Sequence, residues 1–235
     1  MNGHGPRPTR RGLVGAAAGL AAARAGPGAG AAVEAQPGGV EPFWGEHQGG
    51  ITTPAQGHSY FAAFDLLTAG CSDLIRLLRA WTEAAARMAT GRPTTPGVRN
   101  AAPDSGETLG MAPARLTLTF GFGAGVFVKD GKDRFGLAAR RPAGLVDLPR
   151  FNGDQLIPAK SGGDLSVQAC ADDPQVVFHA VRQLARLAYG KAAIRWVQTG
   201  FVPGFPKHET PRNLMGFKDG TGNPSAADPR AMAAS

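Results

Sequence analysis

Cysteine is nearly missing: Cys71 and Cys170 are the only two in 235 residues. With no Cys-x-x-Cys spacing and no histidine pair nearby, the chain offers neither a zinc site nor a disulfide framework. The two read as buried free thiols, and a single bridge between them is left open. Acidic residues are absent from the first 32 positions, where Arg7, Arg10, Arg11 and Arg24 carry four of the seven net positive charges; the rest of the chain carries +3. With so small a residual, and no lysine or arginine stripe interleaved with aromatics, a nucleic-acid partner is not expected. His47, His58, His179 and His208 stand at no metal-ligand spacing. His179, between Phe178 and Ala180, reads as a core or edge residue of a helix. The N-terminal apolar stretch, Leu13 to Ala23, is too short to span a bilayer, so no stable membrane insertion is expected.

What is present suits a packed protein. Apolar residues make up 43% of the chain, an ordinary value for a globular domain. The 34 glycines and 19 prolines gather in the first fifty residues and in loops, which marks tails and linkers. The paired Arg10 and Arg11, followed by a weakly apolar stretch and then small residues, resemble a twin-arginine export signal, with cleavage between Ala25 and Gln36. A disordered Ala/Gly tail with a chance arginine pair is the alternative. Export of this kind carries folded proteins, which hints at a cofactor and a periplasmic or extracellular location.

Clear periods begin at residue 58. "HSYFAAFDLL" suits a central strand, and Ser72 can cap a helix whose apolar stripe is Leu74, Leu77, Leu78, Trp81, Ala85 and Met88. Gly91 and Pro93 end it. "RLTLTF" alternates strictly, with Leu116, Leu118 and Phe120 on one face and Thr117 and Thr119 on the other. "DLSVQAC" alternates likewise. Asp172 or Asp173 then caps a helix with Pro174 near its first position and a stripe of Val177, Ala180, Val181, Leu184, Leu187 and Ala188, closed by Gly190. "AIRWVQTGFV" reads as a last strand. The order β-α-β-β-α-β predicts an α+β, ferredoxin-like fold: an antiparallel sheet with both helices on one face.

Two glycine-rich stretches invite functional readings. "GFGAG", residues 121–125, has Val126 where a dinucleotide fingerprint needs glycine or alanine, and "KDGKD" interrupts the helix that should follow. That reading is set aside. "NLMGFKDGTGNP", residues 213–224, contains turn-forming pairs that explain its glycines but leave Asp219 unexplained.

In their order along the chain, "EPFWGEHQGGITTPAQGHSYFAAFDL", "ARLTLTFGFG", "GGDLSVQACADDPQVVFHAVRQLAR" and "TPRNLMGFKDGTGNP" resemble the dye-decolourising peroxidase family, in particular its exported deferrochelatase/peroxidase branch, over nearly all of residues 41–224. The resemblance implies haem b, two ferredoxin-like domains, and hydrogen peroxide used to oxidise dyes and phenolic compounds. It makes Asp219 the distal carboxylate, the base that takes a proton from peroxide and returns it as an acid. A carboxylate with an ordinary pKa of about 4 stays competent as a base in acid. Gly220, Thr221 and Gly222 match the haem-contacting stretch. Met215, which stands where family members often carry an aromatic or aliphatic residue, receives no catalytic role.

The family's proximal histidine and distal arginine lie well beyond this motif; no histidine follows His208 here, and Arg230 is not matched to the distal arginine. The resemblance therefore implies an N-terminal part: an export segment at 1–36, a ferredoxin-like domain at 37–205, and a distal loop with the start of a second domain at 206–235. No metal ligand is assigned. Absent or impaired activity of such a chain by itself, and self-association through an uncovered apolar face, are expected. Three functional readings stand: a peroxidase acting on peroxide and small aromatic reductants; release of iron from haem, with iron-uptake partners; and a non-catalytic ferredoxin-like binding module.

Overall fold

The computed structural model describes residues 39–45, 47–94, 110–202 and 212–218, together with residues 220, 222 and 230. Residues 1–36, His208, Asp219 and Thr221 lie outside the described residues.

Strand β1 (His58–Leu66) leads into helix α1 (Cys71–Met88), and β2 (Thr117–Phe122) is followed after a long loop by β3 (Leu165–Ala171). Helix α2 (Pro174–Leu187) and β4 (Ala192–Phe201) complete the set. The sheet order is β2-β3-β1-β4 with antiparallel neighbours, so β1 and β3 are central and the ferredoxin-like expectation holds. Alternation works as the sequence implies: Ala62, Phe64 and Leu66 on β1, and Leu165, Val167 and Ala169 on β3, are buried in one core with Leu74, Leu77 and Trp81 of α1 and Val177, Val181 and Leu184 of α2.

Trp81 is the hub of that core. Its ring meets Phe64 edge-on at 5.1 Å and stacks on Phe120 at 5.7 Å, and its Nε1 donates to the Leu184 carbonyl of α2 at 2.8 Å. The one polar atom of a fully buried indole is thus satisfied, and the same bond ties the helices together.

Several local expectations need correction. Gly70, not Ser72, is the N-cap of α1. The turn is organised by Thr68, whose Oγ1 accepts from Gly70 N and donates to Asp73 Oδ2, placing a carboxylate at the positive end of the helix. At the other end Gly91 takes φ +70, with Gly91 N donating to Met88 O and Arg92 N to Arg87 O, the paired bonds of a Schellman close. In α2 it is Asp173 that caps, accepting from Gln175 N at 2.7 Å, with Pro174 first in the helix. Both cysteines are free, but Cys71 is exposed on the first turn of α1 and Cys170 is half-buried. Cys170 pairs with Ser59 near one end of β1, whereas Cys71 follows the other end, so the strand's length separates them.

The threonine face of β2 is not open. Thr117 is buried because Gln56 Nε2 donates to its Oγ1 and to the Arg115 and Cys170 carbonyls, while Gln48 Nε2 donates to Leu118 O. The arm before β1 therefore covers this end of the sheet. No helix among the described residues is long and apolar enough to cross a membrane.

Candidate functional site

Residues 212–218 form a small hairpin. Arg212 and Lys218 face each other in an antiparallel bridge, Asn213 N donates to Phe217 O, and Gly216 N donates to Asn213 O, both at 2.9 Å. The Asn213 side chain closes the loop: its Oδ1 accepts from Met215 N at 3.0 Å and Phe217 N at 3.1 Å. Gly216 sits at φ +85, a conformation in which a side chain would be strained. Held by its own backbone, the hairpin turns Leu214, Met215 and Phe217 outward, 92%, 81% and 67% exposed. Gly220, at φ +73, and Gly222 follow it, whereas Asp219 and Thr221, which the sequence reading joins to them, lie outside the described residues.

A second polar constellation was not anticipated from sequence. Asp164, only 2% exposed, directly precedes β3 and receives three donors on Oδ2: Leu66 N at 2.8 Å, Lys129 Nζ at 2.9 Å and Arg134 Nη2 at 3.0 Å. Lys129 also reaches Asp65 Oδ1 at 3.2 Å, and Arg195 Nη1 reaches Asp65 Oδ2 at 3.0 Å. Three cations and two carboxylates thus pin the loop after β2 to β1, β3 and β4. "KDGKD", which looked like an interruption, supplies Lys129. The signal available in the sequence was Asp164 itself, a charge directly before an apolar strand.

The same contacts explain "GFGAG". A Cβ on Gly121 would run into Ser166 Oγ, on Gly123 into the Gly163 carbonyl, and on Gly125 into Asp164 Oδ1. These glycines admit close backbone packing around the buried carboxylate, with no phosphate cradle.

Burial favours a raised pKa for Asp65, but hydrogen bonds from Arg195 and Lys129 and their charges hold its carboxyl below the ordinary 3.8. Burial pulls the Lys129 ammonium down, and its bonds to Asp164 and Asp65 more than reverse that, leaving it above the ordinary 10.5. The two shifts have opposite windows. Stability from Asp65 is present above its unfolded value and lost as pH falls through its lower folded value; stability from Lys129 is present below its unfolded value and lost as pH rises through its higher folded one. A plateau between about pH 5 and pH 10 with a fall on each side is therefore expected from this network. Urea midpoints measured across pH check it: Asp65→Asn should flatten the acid limb, and an unchanged limb would remove Asp65 from the account.

His179 is buried in α2, as a core residue should be, and His47 is exposed. Among the described residues no group of three histidines, cysteines or acids could hold a metal ion. The described residues thus form two separate features, the apolar hairpin and the charge network.

Comparison with known proteins completes the description. Residues 48–202 match the family model described as Dyp-type peroxidase, N-terminal. A deferrochelatase of Escherichia coli (strain K12) is 39% identical over 199 residues, which cover 82% of this chain and 46% of the relative. The crystal structure of a DyP-type peroxidase from Streptomyces coelicolor superposes with TM-score 0.73 at 39% identity, covering 86% of this chain and 53% of that one. An oxyferrous/water mixed complex of DtpA from Streptomyces lividans gives TM-score 0.71 at 42% identity, over 82% and 50%. The chain spans about half the length of the curated relatives it matches. With the sheet order, the two helices on one face and the matched span in agreement, the chain belongs to the Dyp-type peroxidase family, whose N-terminal domain it carries.

Proposed function

We propose that this chain serves a haem b-dependent peroxidase that reduces hydrogen peroxide at the expense of dyes or phenolic substrates. The observation that carries this reading is the family match over residues 48–202, with the "GFKDG" motif standing downstream of the matched span. When bound, haem supplies the redox-active iron at which peroxide is reduced and electrons are drawn from the second substrate. The described residues suit such a group in two respects: Leu214, Met215 and Phe217 offer an exposed apolar surface, and the positive φ of Gly216 and Gly220 keeps bulk away from the backbone around it. Asp219 takes the proton from one oxygen of hydrogen peroxide and returns it to the other as the O–O bond breaks. Gly220, Thr221 and Gly222 form the haem-contacting stretch, in which the glycines let the backbone approach the macrocycle. Residues 1–36 act as a twin-arginine leader, which puts the protein in the periplasm or outside the cell.

A second reading rests on the 39% identity to a deferrochelatase: release of iron from haem, in partnership with iron-uptake proteins. Products separate the two. In a titration with hemin followed by hydrogen peroxide and a phenolic dye, a sharpened Soret band with bleaching of the dye, even at the reduced rate expected of this chain by itself, supports the peroxidase. Accumulation of free protoporphyrin without bleaching would favour iron release. A broad band like that of free hemin, with neither product, would leave a non-catalytic binding module.

A further inference from the structure

The two edges of the sheet are finished differently. On β2 the arm before β1 supplies side-chain donors: the Gln48 and Gln56 amides reach the Leu118 and Arg115 carbonyls at 2.8 and 2.6 Å, and Gly50 lies so close that a Cβ there would meet Thr119 Oγ1 at 2.9 Å. β4 forms the other edge, and among the described residues only β1 pairs with it. A bulge at Arg195 shifts its register with β1. Arg195 is spent on Asp65 and on the Pro158 and Ser161 carbonyls, while Trp196 donates to Gly162 O and stacks on Phe61. From Trp196 to Phe201 the strand then runs without a charge or a proline, the devices that normally protect an edge. On the helix side Phe178, Tyr189, Ile194, Val197 and Phe201 are 42% to 90% exposed, beside two apolar hollows of about 500 and 320 Å³ between α2 and β4. With about 150–250 Å² on each aromatic, these five side chains expose on the order of 500 Å², roughly the apolar share of the ~800 Å² that each partner brings to a standard interface.

We propose that two copies of this chain pair through Trp196–Phe201, antiparallel across a two-fold axis, and so join two four-stranded sheets into one of eight strands. A second copy fits this edge for three reasons. A strand is its own antiparallel partner about a two-fold axis. No charge on this stretch is set against its like. The same rotation also brings the two α2 helices side by side, so that Phe178 and Tyr189 of each copy close the hollows. The arm on β2 limits the assembly to two, because pairing through a single open edge closes on itself.

Sedimentation velocity of the intact chain without hemin, across a wide range of concentration, tests the pairing independently of the haem reading. The parent should pass from monomer to dimer, and amides of residues 196–201 should exchange with deuterium more slowly in the dimer while those of β2 stay unchanged. Val197→Lys with Phe201→Lys, both exposed positions, sets lysines of the two copies against each other and should weaken the dimer at least about 100-fold. Thr199→Lys, a single exposed change, should weaken it about tenfold. Far-ultraviolet circular dichroism of both variants should match the parent. Gln48→Ala with Gln56→Ala frees the β2 edge and should carry the dimers on to larger assemblies. A monomer at every concentration would overturn the proposal, as would a dimer that V197K/F201K leaves intact or one whose protection falls on β2.

Discussion

Replacing Asp164 by alanine should cost about 3 kcal/mol of stability and lower the thermal midpoint by about 6–12 °C. The reason is what stays behind. Asp164 is 2% exposed, and without it Lys129 and Arg134, less than a third exposed, keep their positions beside a void, while Leu66 N loses its acceptor. Removing one partner of a buried pair leaves an uncompensated charge, which is far costlier than the net worth of the pair itself. Asp164→Asn separates the contributions: its amide oxygen can still accept from Leu66 N, so it should recover part of the loss but not the charge. Denaturant curves on both variants provide the check. A loss below about 1 kcal/mol for the alanine variant would mean that the cations swing to solvent and that the network is only surface decoration.

Asp219→Asn should slow the reaction with hydrogen peroxide by about 10²–10⁴-fold while leaving hemin affinity within a few-fold of the parent. The amide preserves size and polarity but cannot take up a proton, so the whole effect falls on proton transfer. Stopped-flow rates against peroxide concentration measure it. In the parent, the rate should hold at mildly acid pH and fall as the pH drops past about 4, where an ordinary carboxylate becomes protonated. A histidine base would already have failed near pH 6.5. A change of less than about threefold in the Asn variant would end the assignment of Asp219 as acid and base, leaving it a turn residue.

Secondary structure and topology were legible because periodicity reports burial directly. The alternation of Leu165, Val167 and Ala169 and the stripes of α1 and α2 reappear as the buried faces of their elements. The start of α2 was legible because Pro174 marks a first helical position, but the sequence left Asp172 and Asp173 both open as its cap, and the structure selects Asp173. The start of α1 was less so: Ser72 is a good capping residue by type, but Thr68 and Asp73 cooperate through a side-chain contact that a list of capping propensities does not contain. The motif around Asp219 was legible as a motif, from its glycines and its place in the chain. The apolar display of Leu214, Met215 and Phe217 was not, because apolar side chains in a turn-rich stretch do not say whether they point inward.

The charge network marks the same boundary from the other side. Asp65, Lys129, Arg134, Asp164 and Arg195 are scattered over 130 residues and obey no spacing rule, because contacts between strands and loops depend on register and not on separation along the chain. By itself the sequence determined the element order, the core stripes, the family and the position of the candidate carboxylate, each of which is written in local pattern or residue order. Only the tertiary structure decided why Gly121, Gly123 and Gly125 are glycines, which cations meet Asp164, and that Arg212 and Lys218 are held face to face beneath an exposed apolar tip. Those are facts about close approach in space, and close approach is set by packing.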